Sequence, residues 1–116
     1  MILGIGVDMI EVARIQKAIE RNPRFSDKVF TPIEIAYSDG KKSRFMHLAA
    51  RFAAKEAFIK AVGHRVSWTA VGIENLASGQ PVLRVVDEAC YGYTRALVTL
   101  SHIADYAVAV VVLEKE

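Results

Sequence analysis

A single cysteine, Cys90, occurs in 116 residues, so no disulfide can form within the chain. That suits a reducing compartment. Cys90 itself reads as a small buried hydrophobe. No two of the three histidines have metal-ligand spacing, which excludes the usual zinc sites. Gly4-Ile5-Gly6 lacks the third glycine and the helix start of a dinucleotide fingerprint. No Gly-Lys-Ser/Thr phosphate loop and no nucleophile elbow is present. The longest apolar run, Ala107 to Leu113, is too short to span a bilayer. The apolar N-terminal stretch lacks the length and basic start of a signal peptide. Excess charge is also scarce: a formal net charge of +2 is poor material for a nucleic-acid binder. These absences lead us to expect a cytoplasmic protein with neither a membrane nor a nucleic acid as partner.

What remains is an ordinary folded composition, 53% hydrophobic and 24% charged. Its length fits one domain, 1–116. A chain this short buries only about two-thirds of its unfolded surface, so oligomerisation would help to complete a core or a site.

Ile2 to Val7 reads as a buried strand ending at Asp8. Val12, Ile15 and Ile19 then share one helical face, and Pro23 ends that helix. Thr31-Pro32-Ile33-Glu34 opens a second helix with a capping box and a proline in its first turn, and Ser38-Asp39-Gly40 stops it. After a basic turn, Lys41-Lys42-Ser43-Arg44, the spacing predicts a long helix over Phe45–Val62 ended by Gly63. Strands are predicted at Val66–Asn75 and Val82–Val86 about a turn at Ser78–Pro81. A helix over Asp87–Ala96 follows, weakened by Gly92. Strands at Leu97–Ser101 and Tyr106–Leu113 close the chain about a tight turn, His102–Asp105. Strands and helices are segregated, which gives α+β with a mainly antiparallel sheet packed against the long helix.

Two carboxylates stand out. Asp8 follows an apolar strand, where a charge must face solvent or a ligand. Glu56 lies one helical turn before Lys60, a spacing that by itself reads as a solvated helix salt bridge. Lys55, however, falls within the arc of Leu48, Phe52 and Ile59. A lysine there needs a partner or must reach out to solvent. A phosphate group would account for positive charge spread over Arg51, Lys55 and Lys60. A carboxylate among them could hold Mg²⁺, which commonly takes one or two carboxylates with substrate phosphates and water. On the first helix Arg14, Lys17 and Arg21 lie opposite the apolar face, followed by Arg24, Phe25 and Lys28. They form either a solvated face or a basic stripe for an acidic protein, diluted by Glu11 and Glu20.

At these residues the chain resembles the small single-domain 4′-phosphopantetheinyl transferases of the holo-acyl-carrier-protein synthase type. The resemblance rests on Gly4-Ile5-Gly6-Val7-Asp8 with Glu11 and Arg14-Ile15, and on Arg51-Phe52-Ala53-Ala54-Lys55-Glu56-Ala57-Phe58-Ile59-Lys60-Ala61. Gly79-Gln80-Pro81 and Ser101-His102 before Tyr106-Ala107 extend it over nearly the whole chain. It implies transfer of phosphopantetheine from coenzyme A to a serine of an acyl carrier protein. Asp8 and Glu56 would bind Mg²⁺, and Lys60 would lie near the pyrophosphate of coenzyme A. Arg51, His102 and Lys42 would hold the 3′-phosphate. Arg14, Arg21, Arg24, Phe25 and Lys28 would grip the acidic carrier protein. A homotrimer with coenzyme A between subunits is implied as well. One departure is visible: the family usually reads Gly-Thr-Gly and an aliphatic residue where this chain reads Gly63-His64-Arg65-Val66.

Two rival readings stand beside this one. A non-catalytic binding module would use the basic stripe and Phe25 but has no need of Asp8 and Glu56. A nucleotide-dependent phosphotransferase would need the phosphate loop that is missing.

Overall fold

The computed structural model describes residues 1–116. Five strands and four helices run in the order β1 (Ile2–Glu11), α1 (Val12–Arg21), α2 (Arg24–Val29), α3 (Pro32–Asp39), α4 (Arg44–Val62), β2 (Val71–Asn75), β3 (Pro81–Val85), β4 (Arg95–His102) and β5 (Tyr106–Glu114). All pairings are antiparallel. One sheet has the order β1-β5-β4, and β2 and β3 form a separate hairpin. The α+β class is as expected.

The three-stranded sheet wraps one face onto α4. Ala107, Ala109, Val111 and Leu113 of β5 are buried there, as are Ala53, Ala54, Ala57 and Phe58 of the helix. Small residues on both sides let the layers approach closely. β1 carries this furthest, since a methyl group built on Gly6 would lie 1.9 Å from the carbonyl oxygen of Ala57, and one on Gly4 2.0 Å from that of Ala61. Both glycines are therefore required by the closeness of strand and helix, a use distinct from the phosphate-binding one that the pattern Gly-x-Gly brings to mind.

Several expectations are corrected. β1 does not end at Asp8 but continues to Glu11, with Asp8 paired opposite Ala109. Nor is it buried on both faces: Ile5, Val7 and Met9 are exposed on the side away from α4. The helix expected over Asp87–Ala96 is only a 3₁₀ turn, Glu88–Tyr91. Asp87 adopts φ +54° and Gly92 φ +80°, which breaks the helical path at both ends, and β4 starts at Arg95. The strand expected from Val66 is shortened by a 3₁₀ turn at Trp68–Ala70 and begins at Val71. Cys90 is exposed, not buried. The remaining stops behave as read: Gly63 caps α4 at φ +91°, and Gly79 turns the β2–β3 hairpin at φ +93°.

Candidate active site

Lysine 60 joins the two halves of the site. It lies in the last turn of α4, and its Nζ donates to Asp8 Oδ1 at 3.2 Å and to the Val7 carbonyl at 3.0 Å. The glycines of β1 bring strand and helix close enough for that reach. Asp8 lies on the helix-facing side of β1, two residues beyond Gly6, with 19% of its side chain exposed. Glu56 is one turn before Lys60 on the same helix, with 25% of its side chain exposed. Its Oε2 lies 3.8 Å from Arg65 Nη1. Each carboxylate thus has its own cation, and both open to solvent at one seam.

No three His, Cys, Asp or Glu side chains cluster anywhere in the chain. Two carboxylates alone are a poor cage for zinc or calcium. They fit Mg²⁺, a hard cation that keeps waters and takes further oxygens from a phosphorylated substrate.

Lys55 does not contribute to this seam. It is fully buried, 2.8 Å from Glu34 Oε1, and donates to the carbonyls of Trp68 and Val71. Burial lowers its pKa from the ordinary lysine value, while the charge and hydrogen bond of Glu34 pull it back up. The positive charge read from Lys55 toward a phosphate is therefore spent inside the core. Its position in the apolar arc of α4 was legible; its partner, twenty-one positions earlier in the chain, was not.

Arg51 and His102 are brought together elsewhere. They line a cavity of about 170 Å³ with Tyr37, His47 and Asn75. Arg51 is 2% exposed, and it donates from Nη2 to Asn75 Oδ1 and from Nη1 to the His47 carbonyl at 3.3 Å. Its Cζ lies 4.4 Å from the centre of the Tyr37 ring, and its buried Nε has no partner. A buried guanidinium N–H without an acceptor suits an incoming anion. The His47 ring lies 5.0 Å from that of His102. Burial lowers the His47 pKa, with Arg51, His102 and Lys41 acting in the same direction, so its imidazole is neutral at pH 7. His47 is not among the site residues expected from the sequence; its place one turn before Arg51 on α4 was the available signal. Lys42 does not join this cavity. It lines a separate cleft of about 350 Å³ with Val12, Gln16 and Phe45.

The basic stripe is free. None of Arg14, Lys17, Arg21, Arg24 and Lys28 pairs with a carboxylate, and all five are exposed. Phe25 is half-buried, its ring edge-on to Phe30 at 6.3 Å, so only part of it remains for a partner.

A family model described as the 4′-phosphopantetheinyl transferase superfamily matches residues 4–111. A holo-[acyl-carrier-protein] synthase of Geobacter sp. (strain M21) is 41% identical, the match covering 99% of this chain and 100% of the relative. Among solved structures, the holo-(acyl-carrier-protein) synthase of Bacillus anthracis in complex with CoA (3′,5′-ADP) superposes with a TM-score of 0.87 at 36% identity, over 100% of this chain and 99% of that one. The holo-[acyl-carrier-protein] synthase of Neisseria meningitidis does so with a TM-score of 0.90 at 33% identity, over 99% of this chain and 100% of the other.

Proposed function

Because the chain belongs to the 4′-phosphopantetheinyl transferase superfamily, we propose that it transfers 4′-phosphopantetheine from coenzyme A to a serine of an apo-acyl carrier protein. The products are holo-acyl carrier protein and adenosine 3′,5′-bisphosphate. The observation that carries this reading is the contact of Lys60 with Asp8 across the helix–strand seam, 3.2 Å long, with Glu56 one turn away.

In this reading Asp8 and Glu56 hold Mg²⁺. When bound, the ion neutralises charge on the pyrophosphate of coenzyme A. Lys60, whose side chain is 56% exposed, turns its ammonium from Asp8 to the pyrophosphate and offsets the charge that grows on the leaving phosphate. The serine oxygen forms a bond to the β-phosphorus, and the bond from that phosphorus to the bridging oxygen breaks. The serine proton passes to Glu56 or to water. Most of the work is positioning and charge neutralisation, as in other phosphoryl transfers.

The Arg51–His102 cavity takes the 3′-phosphate, for which the unpartnered Arg51 Nε is the support. Arg51 and Lys60 lie two and a half turns apart on opposite sides of α4, about 14 Å along its axis. One subunit therefore offers the two ends of the coenzyme to different neighbours, which fits a homotrimer with coenzyme A between subunits. Lys42 then acts on coenzyme held across that boundary. The free stripe of Arg14, Arg21, Arg24 and Lys28, with the exposed part of Phe25, receives an acidic carrier protein. The 116 residues act as one domain, in the cytoplasm, where the exposed thiol of Cys90 stays reduced.

The test is to incubate the protein with apo-acyl carrier protein, coenzyme A and Mg²⁺ and to weigh the carrier protein by mass spectrometry. One added phosphopantetheine is expected, abolished by EDTA and by Glu56→Gln with the fold retained. An unchanged mass with several carrier proteins would overturn the activity. Full turnover by Glu56→Gln at saturating Mg²⁺ would overturn the metal assignment.

A further inference from the structure

The turn that leaves α4 puts an arginine against one of the two carboxylates of the site. Gly63 takes φ +91° and its N–H donates to the Ile59 carbonyl, so the chain doubles back along the helix it has just left. Arg65 then lies beside Glu56, with Nη1 3.8 Å from Oε2. The guanidinium does not hang free. Its Cζ is 5.0 Å from the centre of the Trp68 ring. Trp68 is stacked in turn on Phe52, with centroids 5.0 Å apart and planes 25° from parallel. Phe52 is one turn before Glu56 on α4. The helix that carries the carboxylate thus also carries, through two stacked rings, the cation that faces it.

An exposed arginine held this way is more than a solvated charge, since stacking on an aromatic face restricts where the planar guanidinium can go. The contact with Glu56 itself is long and its arginine is 68% exposed, so it is easily exchanged. Asp8 has a different cation, Lys60. The two carboxylates therefore give up two different counter-ions when a divalent cation takes them.

We propose that Arg65 is an exchangeable counter-ion of Glu56: its guanidinium neutralises the carboxylate in the free protein, cedes it to the divalent cation, and then binds a phosphate of the coenzyme. This rests on the reading of Asp8 and Glu56 as the metal-holding pair. Removal of the arginine has opposite effects on the two ligands. Metal binding without coenzyme is strengthened, because a competing cation is gone. Coenzyme binding with metal present is weakened, because a charge-assisted bond to phosphate is gone.

The test uses the full chain with Mn²⁺ as probe, its free concentration read by electron paramagnetic resonance. Without coenzyme, Arg65→Ala is expected to bind Mn²⁺ about threefold more tightly than wild type, the scale of one exposed ion pair. With saturating Mn²⁺, calorimetry is expected to show coenzyme A binding about tenfold more weakly to the same variant. Arg65→Lys keeps the charge but not the planar stack and should lie between the two in both measurements. Shifts of the same sign, or an unchanged value in either measurement, overturn the proposal. Loss of Mn²⁺ binding in Glu56→Gln but not in Arg65→Ala is the control that the metal pair is correctly assigned. If wild type takes up no Mn²⁺, that assignment falls and this proposal falls with it.

Discussion

Glu34 serves three donors at once. Its Oε1 accepts from the Thr31 N–H at 2.8 Å and from Lys55 Nζ at 2.8 Å, and its Oε2 accepts from the Ile73 N–H at 2.9 Å. One buried carboxylate thereby caps α3, neutralises a lysine of α4 and ties down the edge of β2. Removing its charge leaves a lysine buried without a counter-ion, and breaking such a pair costs about 3–5 kcal/mol. Glu34→Gln is therefore expected to lose about that much stability at pH 7 in urea unfolding. The deficit should also depend on pH. Burial already lowers the Lys55 pKa, and Glu34 opposes that shift, so losing Glu34 lowers it further. As pH rises through the lowered value, the folded variant sheds its proton before the unfolded chain does, whose lysine titrates at about 10.4. The unfolded state then holds more protons, so stability rises with pH and the deficit narrows on the alkaline side. A deficit equal at pH 7 and pH 9.5 would mean that the lysine charge is not what is costly. The capping half of this role was legible in Thr31-Pro32-Ile33-Glu34, because it is local. The other half joins Glu34 to Ile73, thirty-nine positions on, and no spacing rule reaches that far.

At the scale of elements, the pairing of β1 with α4 decides whether a site exists at all. Asp8 reaches Lys60 only because Gly6 allows the strand to lie against the helix backbone. Gly6→Ala puts a methyl group 1.9 Å from the Ala57 carbonyl oxygen and 2.9 Å from the Ala61 nitrogen, both backbone atoms that cannot rotate away. The strand must lift, at a cost of about 3 kcal/mol, and Asp8 lifts with it. Thermal unfolding should show the loss of stability, and Mn²⁺ affinity should fall as well. Gly40→Ala is the control: its φ is −76° and the nearest atom to the new methyl is 3.7 Å away, so stability should not fall and Mn²⁺ affinity should not change. The elements most legible in the sequence were those with strong local signals, such as the alanine-rich α4 with its Gly63 stop and the β2–β3 hairpin about Gly79. The Asp87–Ala96 segment misled because its composition tolerates a helix, whereas the left-handed turns at Asp87 and Gly92 are set by where β4 must enter the sheet. The continuation of β1 past Asp8 was hidden for a related reason: only its register against β5 shows that a charged residue sits inside the strand.

Taken whole, the molecule separates its surfaces. The basic stripe of α1 and α2 is one, the Asp8–Glu56–Lys60 seam is another, and the outer face of the three-stranded sheet is a third. On that outer face Ile5, Val112 and Leu97 lie side by side in register, as do Val7, Val110 and Thr99, and then Met9, Val108 and Ser101. Ile5 is 67% exposed, Val7 54% and Met9 66%. A contiguous apolar sheet face of this kind marks an interaction site, and in the proposed trimer it is the surface between subunits. Val110 is at its centre, on the middle strand. Val110→Lys adds a charge there while its backbone stays paired on both sides, so the sheet should survive and the assembly should not. Sedimentation is expected to show a trimer for wild type and a monomer for the variant, with the circular dichroism unchanged. Phosphopantetheine transfer should fall at least about a hundredfold in the monomer, since a site shared between subunits loses the positioning that carries most of this catalysis. A monomeric variant with full activity would show that each chain holds a complete coenzyme site, and the opposite placement of Arg51 and Lys60 on α4 would then need another explanation.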